Sequence, residues 1–423
     1  MRWTLTVLGL SVLVLVGGGF VLLSSAGEAI GRKQQAAADR RAARLRQAAA
    51  QEKAESGQQA SSAAGEDSSS KKEPAVYFVK RQGIWLSVAI VFMLAATFFD
   101  YHSWRRYPFL TILLYVIVVG LMVAVLFAEK TKGSHRWLNL GPLNLQPSEL
   151  AKIFVVISVA VFLDWAGWRI EKFCKGTIPA LGLVGVLMGL AVAEPDYGTT
   201  LIIAATGFTL CFIGGMRLLH IGLMGAVGAA GVIGLLLFNK NRMHRLGAWL
   251  PEPVLTFLGL PPPTGDDSAA FQLNQALVAI NQGGAFGVGY TKSMQKQFYL
   301  PESHTDFIFA IGAEELGLVF SLLLLAVFTT LFVCGIRIAH RAPDRLGRLL
   351  AYGLSFLMFF QVLFNIGVVT GCLPTKGLAL PFISYGGTNL MSSLIAVGIL
   401  FNIGRQIELP KPRPRSTISP VFS

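Results

Sequence analysis

Charge is what this sequence has least of. Only 14% of its 423 residues are Asp, Glu, Lys or Arg, against about a quarter in an average soluble protein. With 53% apolar residues and a mean hydropathy of +0.58, the surplus of apolar side chains needs lipid to receive it. A soluble globular fold is excluded. Cysteine is scarce as well: Cys174, Cys211, Cys334 and Cys372 lie far apart, in or beside apolar segments. No disulfide framework or zinc spacing follows. The internal repeat that marks an inverted-repeat transporter is also missing.

The excess charge is positive, +13 overall, but most basic residues sit in short segments between apolar runs, where they fix membrane orientation. A nucleic-acid surface is therefore not expected. Ten apolar runs are long enough, or nearly so, to cross a bilayer: 4–24, 83–99, 109–128, 149–166, 177–193, 199–214, 218–238, 307–334, 349–372 and 380–403. With the N-terminus inside, the short inner segments hold fifteen Lys and Arg residues, from Arg2 to Arg415. The short outer loops hold four, Lys130, Lys132, Arg136 and Lys376. The expectation is an all-α polytopic membrane protein of about ten transmembrane helices, N-in and C-in.

The organisation read from composition is a first transmembrane helix over 1–24, a charged low-complexity extracytoplasmic insert over 25–75, a membrane core over 76–405 and a cytoplasmic basic tail over 406–423. Arg2 followed by an apolar stretch also fits a signal peptide ending near Ser24-Ser25-Ala26, although a retained helix is the preferred reading. A second long outer segment, about 239–305, joins helices 7 and 8. It contains PEPVLTFLGLPPPTGDD, a short helix-like stretch from Ala269 to Gln282, and GGAFGVGY. Such a segment is too long for a mere connector, and long ordered loops are where binding and catalysis concentrate.

Four polar clusters border the apolar runs, all on the outer side in this topology. The first holds His135, Arg136 and Trp137, then Gln146-Pro147-Ser148-Glu149 and Lys152. Ser148 is a candidate helix cap. Glu149 and Lys152 share one helix face, either as an ion pair holding helices together or as a substrate-facing pair. Trp137 taken alone reads as an interfacial anchor. The second is Glu194-Pro195-Asp196-Tyr197-Gly198-Thr199, where Asp196 is best read as a cap. The third runs from Gln297 to Phe307 through His304 and Asp306, with Glu314 and Glu315 beyond. Asp306 also suits a cap, yet three carboxylates within ten residues at the start of a span are expensive for capping alone. The fourth is Asn365, then Leu373 to Thr388 through Lys376 and Ser384. Its prolines and glycines break the helix, which at this depth requires a protein or wet surrounding. Lys376 there suits a phosphate or a lipid headgroup.

HRWLNLGPLNLQPSELAK, PDYGT, LPESHTDFIFAIGAEELG and LPTKGLALPFISYGGT, in that order, resemble the SEDS family of bacterial cell-wall proteins, the group containing FtsW, RodA and SpoVE. The resemblance spans about 76–405. LPTKG followed by LPFISYGG looks more like the division (FtsW) or sporulation (SpoVE) branch than the elongation branch, with the division branch favoured. Three departures stand out: Glu194 where the family usually has Gln, His135 where Arg is common, and Thr388-Asn389 where Ser-Ser is usual. The insert at 28–73 is longer than typical, and nothing carries over to it.

The resemblance implies a peptidoglycan glycosyltransferase at the division septum of the bacterial inner membrane. It would polymerise lipid II beside a class B penicillin-binding protein and other divisome proteins. Asp306 matches the family's catalytic aspartate, and Trp137, Glu149, Lys152, His304, Lys376 and Ser384 are the candidate substrate-binding residues. No cofactor or dedicated metal site is implied, although a divalent cation, Mg or Mn, is compatible with a pyrophosphate substrate. A lipid II flippase is the competing reading, and a non-catalytic divisome scaffold a third.

Overall fold

The computed structural model describes residues 1–27, 74–128, 136–140, 143–237, 249, 253, 268–298, 300, 304–374 and 377–408. Each of the ten apolar runs overlaps a helix, but the last, expected over 380–403, is helical only from Gly387, because 380–386 turn to bond the 304–305 backbone. The helices are α1 (Arg2–Gly27), α2 (Pro74–Phe98), α3 (Pro108–Leu126), α4 (Pro147–Ala166), α5 (Ile178–Ala193), α6 (Tyr197–Ile213) and α7 (Leu218–Leu237). After a shorter α8 (Ser268–Gly283) come α9 (Ile308–Arg341), α10 (Arg345–Val369) and α11 (Gly387–Glu408). Eight are long and apolar enough to span a membrane by length and composition, while α6 and the apolar part of α7 are shorter. Helices dominate because a spanning segment must satisfy its own backbone hydrogen bonds. The small exception is an antiparallel hairpin of β1 (Leu138–Leu140) and β2 (Leu143–Leu145), which pairs Asn139 with Asn144. Most of the insert (28–73) and of the tail (409–423) lies outside the described residues.

Three helices form the centre. The apolar stretches of α4, α10 and α11 are 61, 61 and 72% buried, against 17% for α2. Around them α3 and α9 turn Ile112, Val116, Leu322 and Leu323 outward, as a lipid-facing rim must. The first helix is no detached anchor. Leu8, Leu15, Leu22, Leu23 and Ala26 are buried, Leu5 packs at Gly404 of α11, and Leu22 packs at Gly312 of α9. Ser25, in the stretch that fits a cleavage site, is itself fully buried.

The start of α1 and the end of α11 meet at one end of the bundle, where the Met1 amino group lies 3.6 Å from Glu408 and Arg2 lies 3.5 Å from it. Polar contacts between connections close that end: Tyr101 donates to Asp344 at 2.7 Å, Arg345 to the Gly214 carbonyl at 3.0 Å, and Gln406 to Asp100 at 2.7 Å. The four polar clusters gather at the other end.

The most extensive helix contact is between α2 and α11, and it depends on backbone proximity. A Cβ at Gly398 would stand 2.4 Å from the Met93 carbonyl oxygen and 3.0 Å from the Ala96 methyl. A backbone oxygen cannot move aside as a flexible side chain can. Gly398→Val is therefore expected to destabilise the protein by about 1–3 kcal/mol through overpacking, read as a lower thermal unfolding midpoint in detergent.

Candidate active site

The first two clusters meet at the start of α4. Gln146 is the N-cap of this helix and Pro147 follows it, so the expected cap, Ser148, is already inside the first turn. Its hydroxyl lies 3.3 Å from Asp196 Oδ2, and Gln146 Nε2 donates to the same oxygen at 3.2 Å. Asp196 is the N-cap of α6, as its position suggested, accepting from the Thr199 hydroxyl at 2.9 Å and the Thr199 N–H at 3.4 Å. One carboxylate thus caps α6 and ties it to α4. The fourth cluster joins through Thr388, whose hydroxyl accepts from Gln146 N–H and donates to the Asn144 carbonyl, both at 3.2 Å.

Glu149 and Lys152 form the i,i+3 pair that their spacing predicts. Lys152 Nζ lies 2.9 and 2.8 Å from the two carboxylate oxygens and donates to Gln361 Oε1 at 2.8 Å. Ser392 donates to Glu149 at 3.3 Å, and Gln361 Nε2 reaches Asn389 Oδ1 at 2.9 Å and the Ala379 carbonyl at 2.7 Å. Both charges are buried, and the adjoining cavity is about 10 Å³, barely room for one water. In this conformation the pair faces inward and binds α4 to α10 and α11. Gln361, Asn389 and Ser392 were missed as its partners. For Gln361 the signal was a lone polar side chain in an apolar helix.

The third and fourth clusters bond to each other through their irregular backbone. Three successive carbonyls are pinned: His304 O accepts from Tyr385 N–H at 3.0 Å, Thr305 O from Ser384 Oγ at 2.6 Å, and Asp306 O from Asn365 Nδ2 at 2.9 Å. Ser384 also accepts from Leu380 N–H at 2.8 Å, and Asn365 also donates to the Leu378 carbonyl at 2.6 Å. Phe382, between them, has φ 66°, a strained value for a bulky side chain and one typical of functional sites. Phe307, not Asp306, is the N-cap of α9. Asp306 precedes it, half-buried, with its carboxylate against Gly377, where a Cβ would stand 2.2 Å from Oδ2. Only glycine leaves room for the carboxylate in this position.

The His304 ring is 5.9 Å from that of Tyr385. Trp137 is half-buried, entering β1. Lys376 lies outside the described residues, as does His135. Among the described residues no three His, Cys, Asp or Glu side chains converge on a cation position.

This arrangement has known counterparts. The family described as "Cell cycle protein", comprising FtsW, RodA and SpoVE, matches residues 60–408. The chain belongs to the FtsW/RodA/SpoVE family. Stage V sporulation protein E of Bacillus subtilis is 38% identical over 336 residues, 79% of this chain and 88% of the relative. A probable peptidoglycan glycosyltransferase FtsW of Trichlorobacter lovleyi is 39% identical over 336 residues, 79% and 85% of the two chains. Division and sporulation relatives thus match about equally.

Among solved structures, the rod shape determining protein RodA of Thermus thermophilus superposes with a TM-score of 0.60 at 23% identity, covering 95% of this chain and 97% of its own. A chain from a study of "Structural coordination of polymerization and crosslinking by a peptidoglycan synthase complex" gives 0.68, also at 23% identity, with 95% and 98% coverage. At that identity the likeness is one of fold.

Within the family fold, Glu194 is the departure with a physical cost. It is fully buried, and neither carboxylate oxygen has a hydrogen-bond partner among the described residues. Burial pushes its carboxyl up to about 8, the Asp196 charge adds to the rise, and Arg136 offsets part of it. Unfolded, the group ionises near 4.5, so between these values the native state holds a proton that the unfolded chain has lost. Stability contributed by Glu194 is therefore complete below about 4.5 and falls as pH rises towards 8. Relative to wild type, Glu194→Gln should gain at most about 5 kcal/mol between those pH values. Unfolding midpoints of both proteins measured from pH 4 to 9 should diverge in that interval and run parallel above it.

Proposed function

We propose that the protein is a peptidoglycan glycosyltransferase that polymerises lipid II into glycan strands during cell division, with Asp306 as general base. The observation that carries this reading is the fixation of the 304–306 backbone on three carbonyls, with the Asp306 carboxylate lodged against Gly377. A base must be held within hydrogen-bond reach of its proton, and this backbone cannot drift. The names borne by relatives such as the Trichlorobacter lovleyi protein support the same chemistry.

In this reaction Asp306 takes the proton of the GlcNAc C4 hydroxyl as that oxygen bonds to the MurNAc anomeric carbon of a second molecule. The bond from that carbon to the pyrophosphate oxygen breaks, and undecaprenyl pyrophosphate leaves with the electron pair. His304 and Trp137 border the sugar side in this reading, and Lys376 is the cation we assign to the pyrophosphate. Ser384 acts by holding Thr305, and Glu149 with Lys152 by fixing α4 against α10 and α11.

The protein is multi-pass, and we place it in the bacterial inner membrane at the septum, with the Met1 and Glu408 end inside and the site outside. The fifteen-to-four asymmetry of basic residues supports that orientation. A class B penicillin-binding protein is the partner that fits a polymerase of this fold, with other divisome proteins around it.

Asp306→Asn removes the base and keeps the side chain's size. Purified with its partner, this variant should insert and fold normally yet form polymer from lipid II roughly 10²-fold more slowly or worse. Near wild-type polymer on a gel would rule Asp306 out. For orientation, single cysteines replacing Lys292 and Pro343, both exposed, are introduced into a cysteine-free background. An impermeant maleimide applied to spheroplasts should label position 292 and spare 343, and equal labelling would overturn the assignment.

A further inference from the structure

The GGAFGVGY stretch, left over by the site described above, docks into a broken helix. Gly317 interrupts α9 with φ 76° and ψ −172°. The four backbone groups flanking the break would bond one another in an unbroken helix. Glu314 O and Glu315 O accept from Val288 N–H (2.9 Å) and Gly289 N–H (3.0 Å), while Leu318 N–H and Val319 N–H donate to Gly284 O (2.9 Å) and Ala285 O (3.2 Å). The approach is so close that a Cβ at Gly287 would stand 2.1 Å from Glu315 O.

Side chains lock the junction. Ser293 donates to the Glu314 carboxylate, which also accepts from Met294 N–H at 2.9 Å. Lys296 forms an ion pair with Glu315 and donates to Ser25 Oγ at 2.6 Å, and the Ser25 hydroxyl lies 2.8 and 2.7 Å from the two Glu315 oxygens. Lys296, Glu315 and Ser25 are at most 2% exposed. Nearby, Tyr290 donates to the Val21 carbonyl at 3.1 Å and meets Ser24 at 2.6 Å. The loop, α9 and the end of α1 therefore share one buried polar joint.

A buried ion pair adds little stability over well-packed apolar residues of the same volume, and its best-attested use is to fix register. Here the register at stake is that of Asp306, ten residues after Lys296 and nine before Glu315. The pair closes the segment bearing Asp306 into a ring, within which Leu300 is buried and bonded to the Gln295 carbonyl at 2.9 Å. We propose that Lys296 is a positioning residue for glycosyl transfer, holding the Asp306 segment in place through Glu315 and Ser25. This rests on the polymerase reading given above.

The discriminating variant is Lys296→Met with Glu315→Leu, which removes both charges together and leaves none buried alone. If the pair only stabilised the fold, this protein would work. The expected result is an unfolding midpoint within about 3 °C of wild type, with kcat on lipid II lowered about 10- to 100-fold by misplacement of the base and KM little changed. Spin labels at Met294 and Leu322, both exposed, should give one narrow distance distribution in wild type and a broad one in the double variant.

Wild-type kcat or an unbroadened distribution in the double variant would overturn the inference while leaving Asp306 as base. Absence of polymer from wild type, or full activity in Asp306→Asn, would instead sink the polymerase reading and the inference with it. If the double variant does not insert, Ser25→Ala replaces it. A fall in kcat at constant KM supports the proposal, and unchanged kcat refutes it.

Discussion

A backbone that leaves regular helix inside an apolar bundle must find every hydrogen-bond partner within the protein. That requirement organises everything at the site end of this molecule. The 304–306 segment cannot be helical and still present a carboxylate ahead of α9, so its carbonyls are taken by Tyr385, Ser384 and Asn365. Tyr385 and Ser384 come from the other irregular stretch, 377–386, while Asn365 reaches out of α10 and also binds the Leu378 carbonyl of that stretch. The break at Gly317 follows the same rule, since the groups it frees are answered by the 284–289 loop. Irregularity here is paired, one segment against another.

Charge follows a parallel rule. Glu149 has Lys152, with Gln361 and Ser392 taking up the remaining capacity, and Glu315 has Lys296 with Ser25. Asp196 has no ion-pair partner among the described residues but collects donors from Gln146, Ser148 and Thr199. Glu194, two residues away, has no hydrogen-bond donor on its carboxylate among the described residues, and burial pushes its carboxyl up to about 8 with only Arg136 acting against the rise. An amide at this position would avoid the charge altogether. The contrast between these adjacent acids shows how narrow the margin is at a helix junction.

Much of this was legible in the residues. Ten helices follow from ten apolar runs, and the four polar clusters that interrupt them do converge. Asp196 as a cap and Glu149 with Lys152 as a pair follow from local spacing, because their partners lie three residues along the same helix. What stayed hidden needed a partner from afar. Gln361 binds Lys152 across 209 positions, and Ser25 binds Glu315 across 290, separations that no local pattern reports. Ser148 looked like a cap because the preference is local, but Asp196 competes for its hydroxyl. Phe307 took the cap position from Asp306 for a tertiary reason too, since the preceding residues are held by the 384–385 turn. The Leu138–Leu145 hairpin was obscured by its Leu-rich composition, which reads equally well as membrane-facing.

The first helix joins the two ends of the molecule. Its Met1 and Arg2 end is bound to Glu408, and its far end enters the buried joint through Ser24 and Ser25. Twenty-six helical residues make a rod of about 39 Å, anchored by polar contacts at both tips and by packing on Gly404 and Gly312 along its length. A rod fixed in this way transmits tilt as a lever does. Displacing the Met1 end sideways at one end of the bundle loads the Lys296 joint at the other, giving this helix a mechanical line to the loop that docks on α9.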